Sequence, residues 1–179
     1  MFTAGQHISI CAPDSRVDVF PLLTWSNIVD VLAALGLHTN ARRSCKDGHI
    51  HLSINSLICA GLHRFHLRIV NDMVNIVGSD PTGMMYGLHC LTQIIRLHAK
   101  VVRKSNAQDA ALTTPGAHYV ILPAIEIADW PDIPQRAVLY SYRKPFCPSA
   151  SSMRGLVPLL SRLRFSHLLL EIDNEAYGT

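Results

Sequence analysis

The sequence predicts an α+β domain, an antiparallel sheet with helices on one face, followed by a strand–helix–strand unit. Three observations predict it. Two alternating runs, Phe65–Val70 and Met73–Val77, flank Asn71-Asp72 as the arms of a β-hairpin. Apolar stripes at helical spacing follow Ser26 and Asp80. Near the carboxyl end, a third helical stripe leads into the nearly continuous apolar run His167–Ile172, the pattern of a buried parallel strand. The first domain is expected over residues 1–125, with a linker and the second unit over 126–179.

Gln6–Cys11 opens the chain's pattern as a short strand, with Ile8 and Ile10 on one face. Ser26 is the expected cap of a first helix carrying Ile28, Val31, Leu32 and Leu35, and Gly36 stands where a C′ glycine belongs. Thr39–Gly48 reads as a polar loop. His49–Ile54 alternates as a half-buried strand.

After the hairpin, Asp80 is the expected N-cap of a second helix, with Pro81 at N1, where its missing N–H costs nothing. Met84, Leu88, Leu91 and Ile95 form its buried face, and Arg96, His98 and Lys100 suit its C-terminal end. Val102–His118 shows no periodicity and reads as a loop; Tyr119–Pro123 is another short strand. Asp129–Pro134 is stiff and extended, because two prolines bias the residues before them away from helix.

The second unit begins with a strand over Arg136–Tyr140. Ser149 or Ser152 caps a helix bearing Met153, Leu156, Leu160 and Leu163. Pro158 would cost roughly 3 kcal/mol in its interior, which predicts a kink or a late start.

Composition narrows the function classes. Of 179 residues, 49% are hydrophobic and 16% charged, which excludes a disordered chain. A net charge of +3 lacks the dense basic stripe of a nucleic-acid binder. Cys11, Cys45, Cys59, Cys90 and Cys147 are an odd set without CxxC spacing, so buried free thiols are expected. No uncharged apolar run approaches the ~20 residues of a membrane span, and Met1–Arg16 lacks the signal-peptide pattern. As written, the chain reads as cytoplasmic, with no membrane or nucleic-acid partner.

Two segments carry a resemblance. The first runs Val74-Asn75-Ile76-Val77-Gly78-Ser79-Asp80-Pro81-Thr82-Gly83-Met84-Met85-Tyr86-Gly87-Leu88 and on to Gln93 and Ile94. The second is Asp129-Trp130-Pro131-Asp132-Ile133-Pro134-Gln135-Arg136 with its continuation to Tyr177. Jointly, in this order and at this distance, they resemble the family 20 glycoside hydrolases, the β-N-acetylhexosaminidases. The Tyr-Gly-Leu helix is similar to one in that family's non-catalytic domain. The Asp-x-Pro segment is similar to the start of its catalytic barrel.

The resemblance implies a supporting domain followed by an incomplete TIM-type barrel, since a full barrel takes about 250 residues. It implies N-acetylhexosamine-containing glycans as the family's substrates and no cofactor. The family removes terminal N-acetylhexosamine by a substrate-assisted route, an exception to the two-carboxylate scheme. An adjacent Asp-Glu pair does that chemistry, and no Asp-Glu dipeptide occurs in this sequence. No catalytic residue is therefore assigned, and the chain alone is expected to be inactive. A carbohydrate-binding or regulatory module, and an unrelated small α/β protein, are the alternatives. Exposed strand edges in the second unit are expected to favour self-association.

Arg136 matches the arginine that grips sugar hydroxyls in that family, a task suited to a rigid fork of donors. Its other reading is an arginine paired with Asp129 or Asp132. Ala137, Ser141 and Ser166 depart from the family's glycine, aspartate and asparagine. Asp173, Glu171 and Glu175 compete for its acidic strand-end position.

No metal site is expected. His49-x-His51 with Cys45, or His63-x-x-His66, could be assembled on paper, but alternation turns Ile50, Leu52 and Ile54 inward and the His49 and His51 rings to water. Met84-Met85 reads as core packing, and Arg42-Arg43 and Arg103-Lys104 as solvated loop clusters.

Overall fold

The computed structural model describes residues 2–3, 7–11, 22–42, 49–71, 73–103, 118–142 and 148–172. In chain order the elements are β1 (Phe2–Thr3), β2 (His7–Cys11), α1 (Leu22–Ala34), β3 (His38–Arg42), β4 (Ile50–Ile54), β5 (Phe65–Val70), β6 (Met73–Gly78), α2 (Pro81–His98), β7 (Lys100–Arg103), β8 (His118–Ile121), β9 (Ile125–Asp129), β10 (Ala137–Tyr142), α3 (Ala150–Arg162) and β11 (His167–Ile172). Two compact units divide after Trp130.

The first unit is built on a six-stranded sheet in the order β3-β2-β4-β6-β5-β9. The expected antiparallel sheet is corrected to a mixed one. β2 runs parallel to β3 and β4, and β4 parallel to β6; only β5 is reversed, pairing antiparallel with β6 and β9. The cause is connectivity. α1 carries the chain back between β2 and β3, as a parallel crossover requires, whereas the short connection at Asn71 (φ 48°) sets β5 antiparallel to β6.

α1 packs against α2, and α2 lies across β4, β5 and β6, so the helices cover one face as expected. Alternation puts Phe65, Leu67, Ile69, Val74 and Ile76 beneath them, while Arg68 and Asn75 face out. Met84, Leu88, Leu91 and Ile95 complete the core from α2, and Ile28, Val31 and Leu32 from α1. Met84 is fully buried and Met85 packs against the same core.

α1 starts at Leu22, so Ser26 lies inside the helix and not at its cap. Its end follows the sequence. Gly36 takes φ 73°, its N–H donates to the Ala33 carbonyl, and the Leu37 N–H donates to Leu32, a complete Schellman motif. α2 begins at Pro81 with Asp80 as N-cap. Lys100 is not part of its C-terminal end, because the helix stops at His98 and Lys100 opens β7.

β7 and β8 pair antiparallel beside β1 in a separate three-stranded sheet, so the ends of the expected loop 102–118 are strand. The rest of it, 104–117, lies outside the described residues. β3, in the segment read as loop, and β9 are strands that the sequence patterns do not mark. Cys59 and Cys90 are buried, and neither is in a disulfide among the described residues. No described helix is long and apolar enough to cross a membrane.

The second unit is a strand–helix–strand with β10 and β11 parallel, Ala137 opposite His167 and Tyr142 opposite Ile172. Ser149 caps α3 by accepting the Ser152 N–H at 3.1 Å. Pro158 sits inside α3, which nonetheless begins at Ala150, so the expected late start does not occur.

Candidate functional site

Arg136 stands immediately before β10. Its backbone N–H donates to Ser166 Oγ at 2.8 Å, and its carbonyl accepts the N–H of Ser166 (2.8 Å) and of His167 (3.2 Å). Its side chain turns the same way. Nε donates to the Arg164 carbonyl at 2.7 Å, and Nη1 to the carbonyls of Ile133 (2.5 Å) and Pro134 (3.5 Å). Arg164 is left-handed (φ 62°) and closes α3, with its N–H on the Ser161 carbonyl and the Phe165 N–H on Leu160. One arginine thus ties the turn after α3 to the start of β10.

The other candidates lie elsewhere on the strands. Ser141, five residues further along β10, is opposite Glu171 on β11. At a strand rise of 3.3 Å per residue, that is roughly 16 Å from Arg136 along the backbone. Ser141 Oγ is buried and has no hydrogen-bond partner among the described residues. Asp173 and Glu175 lie outside the described residues. A cavity of about 160 Å³ opens between α3 and β11, lined by Leu160, Phe165, Ser166, His167 and Leu168 among others. Its wall is mostly apolar and holds no carboxylate, which suits packing more than acid–base chemistry.

In the first unit, the segment Gly78–Gly87 builds a clasp. Asp80 accepts N–H bonds from Gly83 (2.8 Å) and His63 (2.7 Å), a 3.1 Å bond from Ser79 Oγ, and meets His63 Nδ1 at 3.2 Å. Partial burial pushes the Asp80 carboxyl upward, and the bonds from Gly83 and His63 outweigh it, so the group is held below its ordinary range. His63 is left-handed (φ 56°) and meets Tyr86 edge-on at 6.2 Å. A Cβ on Gly83 would strike the Arg64 carbonyl, and one on Gly87 would press into Ile76 and the Phe65 ring. These glycines let α2 lie directly on the sheet. The segment is scaffold.

The histidines do not converge. His63 faces Asp80, whereas His66 Nε2 meets Glu126 Oε1 at 2.9 Å, with Arg68 Nε 3.9 Å from the same carboxylate. His49 and His51 are half-buried on either side of buried Ile50, and Cys45 lies outside the described residues. Among the described residues, no three His, Cys, Asp or Glu side chains gather as a metal site. Arg42 and Arg103 end strands, and Arg43 and Lys104 are outside the described residues. The sequence reading misses two partners: Ser166, noted there only as a departure, and Glu126. It also misses Arg64, whose guanidinium lies 4.2 Å over the Trp130 ring. No local pattern marks any of these pairings, which span 30 to 66 residues.

No family model matches the sequence, and no curated protein matches it. Solved structures do. A β-N-acetylhexosaminidase from Bacteroides fragilis aligns at 15% identity over 92% of this chain, with a TM-score of 0.65. A β-hexosaminidase from Streptomyces plicatus, in complex with its product, aligns at 17% identity over 94%, also at 0.65. The chain shares its fold with β-N-acetylhexosaminidases. It spans under a third of those hexosaminidase chains, 28% and 30%. A family 115 4-O-methyl-α-glucuronidase specific for decorated arabinogalactans aligns comparably, at 14% identity over 96% of this chain and 26% of its own, TM-score 0.64. The hexosaminidase-like architecture is therefore shared among glycoside hydrolases of different specificity, and specificity rests with particular side chains.

Proposed function

We propose that the chain is the amino-terminal part of a β-N-acetylhexosaminidase-like glycoside hydrolase: a supporting domain followed by the first strands of a TIM-type barrel. The observation that carries this is joint. The fold likeness covers more than nine-tenths of the chain, and the two motif segments occur in the family's order. The substrates of the whole protein are then N-acetylhexosamine-containing glycans. With no Asp-Glu dipeptide in the sequence, both the general acid and the group that orients the acetamide lie outside it. Arg136 is the candidate for gripping sugar hydroxyls, a role that rests on the resemblance of its motif and on the rigid fork of donors that a guanidinium offers. The test is hydrolysis of a chromogenic N-acetylglucosaminide by the purified chain. Turnover at background is expected. Turnover that survives Arg136→Ala and is lost in another single-site variant overturns the assignment.

One observation favours a second reading, a non-catalytic carbohydrate-binding or regulatory module. The main hydrophobic core lies entirely within Ile10–Ile127, so the first unit has a core of its own. Glycan binding by the chain, measured by calorimetry with N-acetylglucosamine, supports this reading; no heat under conditions where the chain is folded removes it.

A further inference from the structure

We propose that Arg64 is a latch on the point where the chain leaves the first unit, and that the clasp at the start of α2 sets this latch. The ladder between β5 and β9 ends with Phe65 opposite Asp129. Past it the backbone offers little to hold the chain. The Trp130 N–H turns back to Asp129 Oδ1 at 2.8 Å, and Pro131 has no N–H to give. The first unit ends at Trp130. What reaches beyond the ladder is a side chain: the Arg64 guanidinium lies 4.2 Å over the Trp130 ring, a cation–π contact. Trp130 is still 46% exposed, so this contact can open while the core stays closed.

The backbone of Arg64 is held by the entry to α2. Its N–H donates to Ser79 Oγ at 3.0 Å, and its carbonyl accepts the Ser79 N–H at 2.9 Å. Ser79 Oγ in turn donates to Asp80 Oδ2 at 3.1 Å, on the carboxylate that caps the helix. Asp80, Ser79, Arg64 and Trp130 thus form a continuous run of contacts from the helix cap to the exit of the unit. The loop before β5 leaves room for the arginine. A Cβ on Gly61 would meet Arg64 Nε at 2.8 Å and Cδ at 2.9 Å, and Gly61 takes φ 117°. Loosening the clasp lets the guanidinium leave the ring and frees the chain at Trp130. The latch belongs to the first unit and is independent of sugar chemistry.

Acrylamide quenching of tryptophan fluorescence in the full chain tests this. Trp25→Phe leaves Trp130 as the only tryptophan, and all variants are made in that background. Arg64→Ala should raise the quenching constant roughly twofold, because the cation covers one of the two ring faces. Its circular dichroism spectrum should not change. Arg64→Lys keeps a cation without the flat head and should fall between the two. Ser79→Ala should also raise quenching, by less, and should add nothing once Arg64 is alanine. Quenching unchanged in both Arg64 variants overturns the proposal. So does a Ser79→Ala change that has no effect, or that has the same effect with and without Arg64.

Discussion

Asp80 accepts the backbone N–H of His63 at 2.7 Å, and so joins the loop before β5 to the first turn of α2. The same carboxylate caps the helix through Gly83. Replacing it with alanine removes a cap, worth about 1 kcal/mol, and leaves the His63 N–H without its acceptor, worth about 1–3 kcal/mol more. Urea unfolding of Asp80→Ala should show a loss near the upper part of that combined range. A loss no greater than an ordinary cap deletion would mean that the loop finds another acceptor.

Acid should reveal the same contact. The Asp80 carboxyl titrates below its unfolded value of 3.8, so its contribution is complete above that pH and is lost as pH falls through the lower, folded value. Asp80→Asn keeps a capping oxygen and removes the titration. Its stability relative to wild type should therefore improve on going from pH 6 to pH 3 (a range set by ordinary carboxylate pKa values, roughly 4). A difference that stays constant with pH would exclude this linkage.

Glycine to alanine should act in opposite directions at two helical sites. Gly83 faces the Arg64 carbonyl, a backbone atom that cannot step aside, so Gly83→Ala should cost about 1–3 kcal/mol despite alanine's better helix propensity. Gly155, in α3, has nothing within 4 Å of an added Cβ, and Gly155→Ala should stabilise by about 0.5–1 kcal/mol. Thermal melts of the two variants moving in the same direction would contradict this placement.

Leu88 and Leu91, on the sheet-facing side of α2, are almost completely buried. Either change to alanine should cost about 2–5 kcal/mol. A loss below about half a kcal/mol, within the range of surface substitutions, would mean that the helix presents another face.

Arg136 separates two roles by charge and shape. If its main work is to hold the carbonyls of Arg164 and Ile133, then Arg136→Lys, a point charge without the fork, should destabilise the second unit nearly as much as Arg136→Ala. Hydrogen exchange at Ser166 and His167, whose N–H groups bond the Arg136 carbonyl, gives the local readout. Protection unchanged in both variants would mean that the clamp does not hold this turn.

The hairpin and α2 are legible in the sequence because their signals are local: alternation either side of Asn71, and Asp80 before Pro81. β3 is not, since His38-Thr39-Asn40-Ala41-Arg42 has no apolar alternation and owes its place to pairing with β2. Ile125-Glu126-Ile127 does alternate, but the run is short and lies between Pro123 and Pro131. Strand direction depends on where α1 returns the chain, which no short window contains. At the candidate site, Arg136 stands out through its motif, whereas its clamp to Ser166 crosses 30 residues and exists only once α3 has turned the chain back.

The close approach of α2 to the sheet has an evolutionary consequence. Gly83 and Gly87 are confined by the Arg64 carbonyl, Ile76 and Phe65, so the constraint on them is steric. Purifying selection on these glycines continues for as long as the chain must fold, whether or not it ever turns over a sugar. A copy of this chain under no demand except to fold would still have to keep glycine at both positions, so the Tyr-Gly-Leu helix marks how the layers pack.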